Sequence, residues 1–314
     1  MTLAAITTAA AIVASVGSLS FAAPSETVSC TSAAAFAGTI CTPAAPGVHA
    51  SVLVLGGSGG GDRLAPLAKR FAEHGYVAAS VAYFAAGGLP RTLDEIPVET
   101  VGSALDAIAR RPDVDPQRIG VFGDSKGGEL ALLAASLYPA VRAVVGIVPS
   151  PFAWSGAGGG SSWTVGGKPV PYVPLERRGG MMRRGGGSGA SFEMRAVYDE
   201  SMQLHAGLVR AAMFHLENVR GPILLLAGDA DGVWDSPAQC RLAMDYLKAH
   251  AHPYADEFVD YPNAGHAFLF ATPQRPQLSG PGGGSLGGTA RGNVAAGEQA
   301  WTKIDDFLTR ALGS

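Results

Sequence analysis

The sequence predicts a single α/β domain built on a doubly wound, mostly parallel sheet, interrupted by one glycine-rich insertion. Two observations predict it. From residue 48 onward, short apolar runs alternate with amphipathic stretches, the pattern of buried parallel strands covered by helices. The 314 residues give room for one large domain of this kind, and glycine (43) and proline (21) cluster between the apolar runs, where loops are needed. Charged residues are 16% and hydrophobic residues 47%, which excludes a coiled coil or a charge-rich disordered chain. A net charge of −3 provides no whole-molecule field for nucleic acid or an anionic membrane. No Gly-x-Gly-x-x-Gly opens a helix, no P-loop lysine follows a glycine-rich turn, and no His-Glu-x-x-His occurs, so no cofactor, metal or nucleic-acid partner is expected.

In chain order, residues Met1 to Ala23 are uncharged and dominated by small and apolar side chains. They read as a secretory signal with a small-x-small cleavage site at Ser20-Phe21-Ala22. The rival is an uncleaved N-terminal anchor, since no Lys or Arg precedes Arg63. The expectation is a secreted or periplasmic protein whose residues 24–314 form the α/β domain, with no stable membrane association unless the N-terminal segment is retained. Ala34–Phe36 and Thr39–Ile40 read as short hairpin strands around Gly38. A Cys30–Cys41 disulfide would staple that hairpin, the alternative being two unpaired thiols. Cys240 lies in a helical pattern and reads as a buried small hydrophobe.

Val52–Leu55 is a buried strand ending in Gly56-Gly57-Ser58-Gly59-Gly60-Gly61, and Leu64, Leu67, Ala68 and Phe71 keep helical spacing. Tyr76–Phe84 reads as strand, Val98–Arg110 as helix, Ile119–Phe122 as strand, Glu129–Leu137 as helix and Ala143–Val148 as strand. After an interruption, Ile223–Ala227 is strand, Pro237–Ala249 helix, Ala255–Asp260 strand, and a closing helix runs from Glu298 to Leu312. The interruption, about residues 149–219, is too rich in glycine to carry a continuous sheet and is expected to lie over the sheet as a lid. Its Lys168, Arg177, Arg178, Arg183 and Arg184 form either a solvated basic loop or a seat for an anionic substrate group. A second loose stretch, Thr272–Gly297, delays the last helix.

Gly123-Asp124-Ser125-Lys126-Gly127 is a Gly-x-Ser-x-Gly sequence between a strand and a helix. A sharp strand-to-helix turn requires small residues on both sides and lifts a serine hydroxyl to a helix N-terminus. A serine needs a base to take its proton. Of seven histidines, His266 lies just past the strand that follows the last long helix pattern but one, the position a base takes in this chain order. The acid is sought after the preceding strand, where Asp231 is favoured, with Asp229 and Asp235 as alternatives. His74, His250 and His252 fall near helix ends and are expected to meet solvent, and His49, His205 and His215 lie outside the converging loops. A developing oxyanion also needs donors. The N–H of Lys126 is one, and the N–H of Ser58 or Gly59 is expected to be the other.

The motif Gly123-Asp124-Ser125-Lys126-Gly127-Gly128-Glu129-Leu130-Ala131 resembles the C-terminal catalytic domain of the acyl-CoA thioesterase and bile acid-CoA:amino acid N-acyltransferase family. Also similar are Ala82-Tyr83-Phe84, Ile96-Pro97-Val98-Glu99, Ser162-Trp163-Thr164, Pro171-Tyr172-Val173-Pro174, Asp231-Gly232-Val233-Trp234 and Ala264-Gly265-His266. The similarity runs from about Val48 to Leu312. It implies an α/β-hydrolase fold with Ser125, Asp231 and His266 as a catalytic triad, and an acyl ester or thioester as small-molecule substrate. The amino-acid-conjugating branch uses cysteine where this chain has Ser125. A serine acyl-enzyme is normally resolved by water, so hydrolysis is the expectation. Export would favour a carboxylic ester or a thioester other than acyl-CoA. The rivals are a dienelactone-hydrolase-like carboxylesterase and a non-catalytic secreted binding module.

Overall fold

A computed structural model describes residues 27–176, 194–278 and 285–313. The signal or anchor expected over residues 1–23, and Arg177, Arg178, Arg183 and Arg184, lie outside the described residues. Eight strands form the main sheet: β1 (Ser29–Ser32), β2 (Gly38–Thr42), β3 (His49–Leu55), β4 (Val77–Val81), β5 (Val114–Asp124), β6 (Val141–Ile147), β7 (Ile223–Gly228) and β8 (Glu257–Tyr261). Their order is β1-β2-β4-β3-β5-β6-β7-β8. The six strands from β3 to β8 pair in parallel, and the β1–β2 hairpin adds antiparallel to the β4 edge.

The parallel strands are buried on both faces, as their continuous Val, Leu and Ile content demands. Leu53, Leu55, Val121, Val144 and Leu225 pack on one side, against α2 (Glu99–Ala109), α3 (Lys126–Leu137) and α6 (Ser236–Ala249). Their neighbours Val52, Val54, Phe122, Val145 and Leu226 pack on the other, against α1 (Ala65–Glu73) and α7 (Ala290–Leu312). A two-residue side-chain period thus feeds two separate cores. Among the described residues, side chains cap the starts of α6 and α7. Asp235 accepts from the Ala238 N–H at 3.0 Å ahead of α6, and Thr289 accepts from the Gly292 N–H at 3.0 Å ahead of α7.

Several boundaries differ from expectation; β5, for one, begins at Val114 rather than Ile119. The hairpin strands are Ser29–Ser32 and Gly38–Thr42, with residues 33–37 as the connection, and Cys30 faces Cys41 in a disulfide. Strand β1 is wholly exposed, so it has no apolar alternation to read. Helix α3 begins at Lys126 rather than Glu129. Its Gly127 packs so closely that a Cβ would stand 2.2 Å from the Leu55 carbonyl oxygen. Helix α7 begins eight residues before Glu298, in a glycine-bearing first turn that packs on the loop after β8. A Cβ at Gly292 would meet the Asn263 carbonyl oxygen at 2.2 Å.

Between β6 and β7 the described residues add no strand to the main sheet. They form a cap of short pairings: Ala153–Trp154 with Tyr172–Val173, and Trp163–Val165 with both Lys168–Pro169 and Ile96–Pro97. The cap also holds α4 (Met194–Leu204) and α5 (Ala206–Ala212). Phe152, Trp154, Val173, Tyr198, Val209, Ala212 and Trp234 make a third apolar cluster beneath it.

Candidate active site

Strand β5 delivers Ser125 to a turn that only small neighbours permit. Ser125 has φ +54°, a left-handed conformation rare for a residue with a side chain and usual where strain is kept for function. A Cβ on Gly123 would stand 2.1 Å from the Gly127 carbonyl oxygen, so the two glycines flanking the serine touch backbone to backbone. The Ser125 N–H donates to the Ile147 carbonyl at 2.9 Å, which ties the turn to β6.

His266 follows β8, with its N–H bonded to the Leu286 carbonyl at 2.6 Å. Its Nε2 stands 2.8 Å from the Ser125 hydroxyl, 141 residues away in the chain. Its Nδ1 lies 3.0 and 2.9 Å from the two carboxylate oxygens of Asp231, which follows β7. Asp231 is held in turn by the N–H groups of Val233 (2.8 Å) and Trp234 (3.3 Å). All three side chains are buried. With Nδ1–H donated to the carboxylate, Nε2 is left to accept the serine proton. Burial disfavours the imidazolium, but the charge and hydrogen bond of Asp231, helped by Asp124, outweigh it and raise the His266 pKa above the usual histidine value.

The alternative acids go elsewhere. Asp229 accepts from the Asn263 N–H at 2.6 Å and braces the two loops, while Asp235 caps α6 and pairs with Arg195 at 2.6 Å. Of the oxyanion candidates, the Lys126 N–H is the first of α3. In the loop after β3, Gly57 lies against the Ser125 turn: a Cβ there would come within 3.2 Å of the Ser125 Cβ. Ser58 and Gly59 follow in an exposed turn. Lys168 is exposed on its short cap strand.

Among the other histidines, His74 and His250 end α1 and α6 as expected. His252 does not meet solvent. It is buried, with Nδ1 2.6 Å from Asp256 and Nε2 3.1 Å from the Val219 carbonyl, because the chain folds it back under the start of β7.

Four residues beside the site have a role that the sequence did not assign. Tyr83, buried, donates its hydroxyl to the Gly56 carbonyl and so pins the loop after β3. Trp234 sets its ring edge-on to the His266 ring at 5.1 Å. Arg195 of α4 donates to the Asp231 carbonyl at 2.9 Å, linking cap to acid loop. Glu129 is a fully buried carboxylate in the first turn of α3; its signal was a lone acid in an otherwise apolar helix. Asp124, beside Ser125, has its carboxyl pushed up to about 7 by burial, with His266 opposing and Asp231 reinforcing.

Residues 96–314 match the family described as BAAT / Acyl-CoA thioester hydrolase C terminal. The chain belongs to that family. The match takes in the cap, Ser125, Asp231 and His266, and begins after the Gly56–Gly61 loop. Among relatives in the BAAT / acyl-CoA thioester hydrolase group, mouse (Mus musculus) acyl-coenzyme A amino acid N-acyltransferase 1 is 27% identical over 252 residues, 78% of this chain and 56% of that protein. Human (Homo sapiens) acyl-coenzyme A thioesterase 1 is 26% identical over 283 residues, 88% of this chain and 63% of that protein. The chain therefore spans less than two-thirds of their length. Similar solved structures include MGS-M1, an alpha/beta hydrolase enzyme from a deep-sea metagenome library, with a TM-score of 0.54 at 12% identity, covering 92% of this chain and all of that one. The dienelactone hydrolase-like promiscuous phosphotriesterase P91, from metagenomic libraries, gives 0.55 at 15% identity over 88% of this chain and 92% of that one. With the parallel sheet and flanking helices, these likenesses establish the α/β-hydrolase fold.

Proposed function

We propose that the protein is a serine hydrolase that cleaves a thioester or carboxylic ester through an acyl-enzyme on Ser125. The observation that carries this reading is the unbroken line of contacts from the Ser125 hydroxyl through His266 to Asp231. His266 Nε2 takes the hydroxyl proton as Ser125 Oγ attacks the carbonyl carbon, and the carbonyl oxygen becomes an oxyanion between the N–H of Lys126 and the loop at Gly57–Gly59. The imidazolium, stabilised by Asp231, then gives its proton to the leaving thiol or alcohol as the tetrahedral intermediate collapses. Water, deprotonated by His266, releases the acid and restores Ser125.

The names of the relatives, thioesterases among them, support an acyl thioester as one substrate class. Their conjugating member acts by acyl transfer to an amino acid, as its name states, but a serine ester intermediate is open to water, so hydrolysis is assigned here. The likeness to dienelactone-hydrolase-type structures shares only the fold. A purely binding role does not require the aligned proton path. The disulfide between Cys30 and Cys41 supports folding in an oxidising compartment, in keeping with export directed by residues 1–23; N-terminal sequencing of the secreted protein should begin near Ala23 or Pro24.

The assignment is tested by Ser125→Ala. It should abolish hydrolysis of a short p-nitrophenyl ester and of an acyl thioester of equal chain length while leaving the thermal midpoint close to wild type. Activity that survives the substitution would refute it.

A further inference from the structure

Glu129 stands one helical turn behind the nucleophile with no exposed side-chain surface. One of its oxygens, Oε1, accepts from three donors: the Lys126 ammonium at 2.6 Å, the Trp163 indole N–H at 2.6 Å and the Trp154 backbone N–H at 3.1 Å. The other oxygen is buried and takes no hydrogen bond among the described residues. The Lys126 ammonium, itself buried, also lies 5.2 Å over the Trp163 ring. Trp163 packs at 5.7 Å against Tyr83, whose hydroxyl holds the Gly56 carbonyl.

Stability alone does not account for this arrangement. A buried ion pair is often replaced by apolar side chains of similar volume at no loss, because its attraction barely repays the dehydration of two charges. What the pair does supply is direction. Lys126 contributes the backbone N–H expected to receive the oxyanion, and its side chain is folded back onto Glu129. Glu129 is gripped by two cap tryptophans, and one of them backs the tyrosine that pins the opposite loop. Both walls of the expected oxyanion pocket thus refer to one carboxylate.

We propose that Glu129 is a positioning residue that fixes the Lys126 N–H and the Gly56–Gly57 loop relative to Ser125 by anchoring both to the cap through Trp163. The proposal rests on Ser125 being the nucleophile. It concerns the rate of the chemical step and not substrate affinity, because Glu129 sits behind the turn.

The test compares wild type, the double variant Lys126→Met/Glu129→Leu, and Trp163→Phe, which keeps an aromatic side chain but removes the pyrrole ring together with its N–H donor. Each is assayed on p-nitrophenyl acetate, with folded sites counted by fluorophosphonate labelling of Ser125 and stability followed by thermal unfolding. The double variant leaves the buried Trp163 and Trp154 N–H groups without their acceptor, so its midpoint should fall, yet its folded sites should show kcat at least tenfold lower with KM within twofold. Trp163→Phe should show a several-fold fall of the same kind. A folded double variant with wild-type kcat, or one whose loss lies in KM alone, overturns the proposal. If the double variant does not fold, wild-type kcat in Trp163→Phe overturns it. Absence of labelling at Ser125 in wild type is a separate outcome, which removes the nucleophile assignment itself.

Discussion

The two sides of the site are held by different physics. On the nucleophile side the backbone does the work: Ser125 sits at φ +54°, and Gly123, Gly127 and Gly57 let main chain approach main chain. On the acid and histidine side the work falls to polar side chains. Asp231 is oriented by two N–H groups, by Arg195 at its carbonyl and by Trp234 edge-on to His266. A close-packed backbone turn has no softer state to relax into, so a side chain forced into it costs stability. A hydrogen-bonded imidazole can lose its partner and stay folded, so damage there falls on the rate.

That contrast predicts how each side breaks. The largest effect is expected from Asp231→Asn, which keeps the shape but favours the wrong imidazole tautomer. Turnover of a p-nitrophenyl ester should fall by about 10⁴-fold with little change in thermal midpoint. A loss under tenfold would move the acid role to another residue. Next comes Gly127→Val, whose new Cβ has no room beside the Leu55 and Gly56 carbonyls. Urea unfolding should show a loss of about 3 kcal/mol or more, and an unchanged midpoint would contradict the close packing of the turn.

The smallest effect is on pH dependence. The proposed mechanism needs neutral His266, so activity should be lost as pH falls through its pKa, which stands above the usual histidine value. The acid limb of kcat/KM should accordingly lie at higher pH than for an isolated histidine. Asp124 contributes to that rise, so Asp124→Asn should move the limb to lower pH; a shift upward, or none, would show that Asp124 exerts no field on the imidazole.

The same contrast explains what could be read from the chain. The turn at Ser125 is local: five consecutive residues, a strand before and a helix after, so its shape was legible at once. Asp231 and His266 were legible from chain order, since each follows a buried strand, and Asp231 was separable from Asp229 only by preference. The supports were not legible. Tyr83, Trp163 and Arg195 act across 27, 34 and 36 residues of sequence, and although Tyr83 and Trp163 lie in motifs that carry the resemblance, nothing in the local pattern marks what any of the three touches. Glu129 and His252 were hidden for a related reason, because burial of a charged or polar side chain is decided by partners that arrive from other elements. The exposed strand β1 lacks the apolar alternation by which strands are recognised.

The most direct measurement of the central claim is peptide mass mapping of wild-type protein quenched in acid during turnover of p-nitrophenyl acetate. The account predicts one acetyl group on Ser125, absent from Ser125→Ala and accumulating more slowly in His266→Ala. Steady turnover with no acetyl group on Ser125, or with the acetyl group on another side chain, would contradict it.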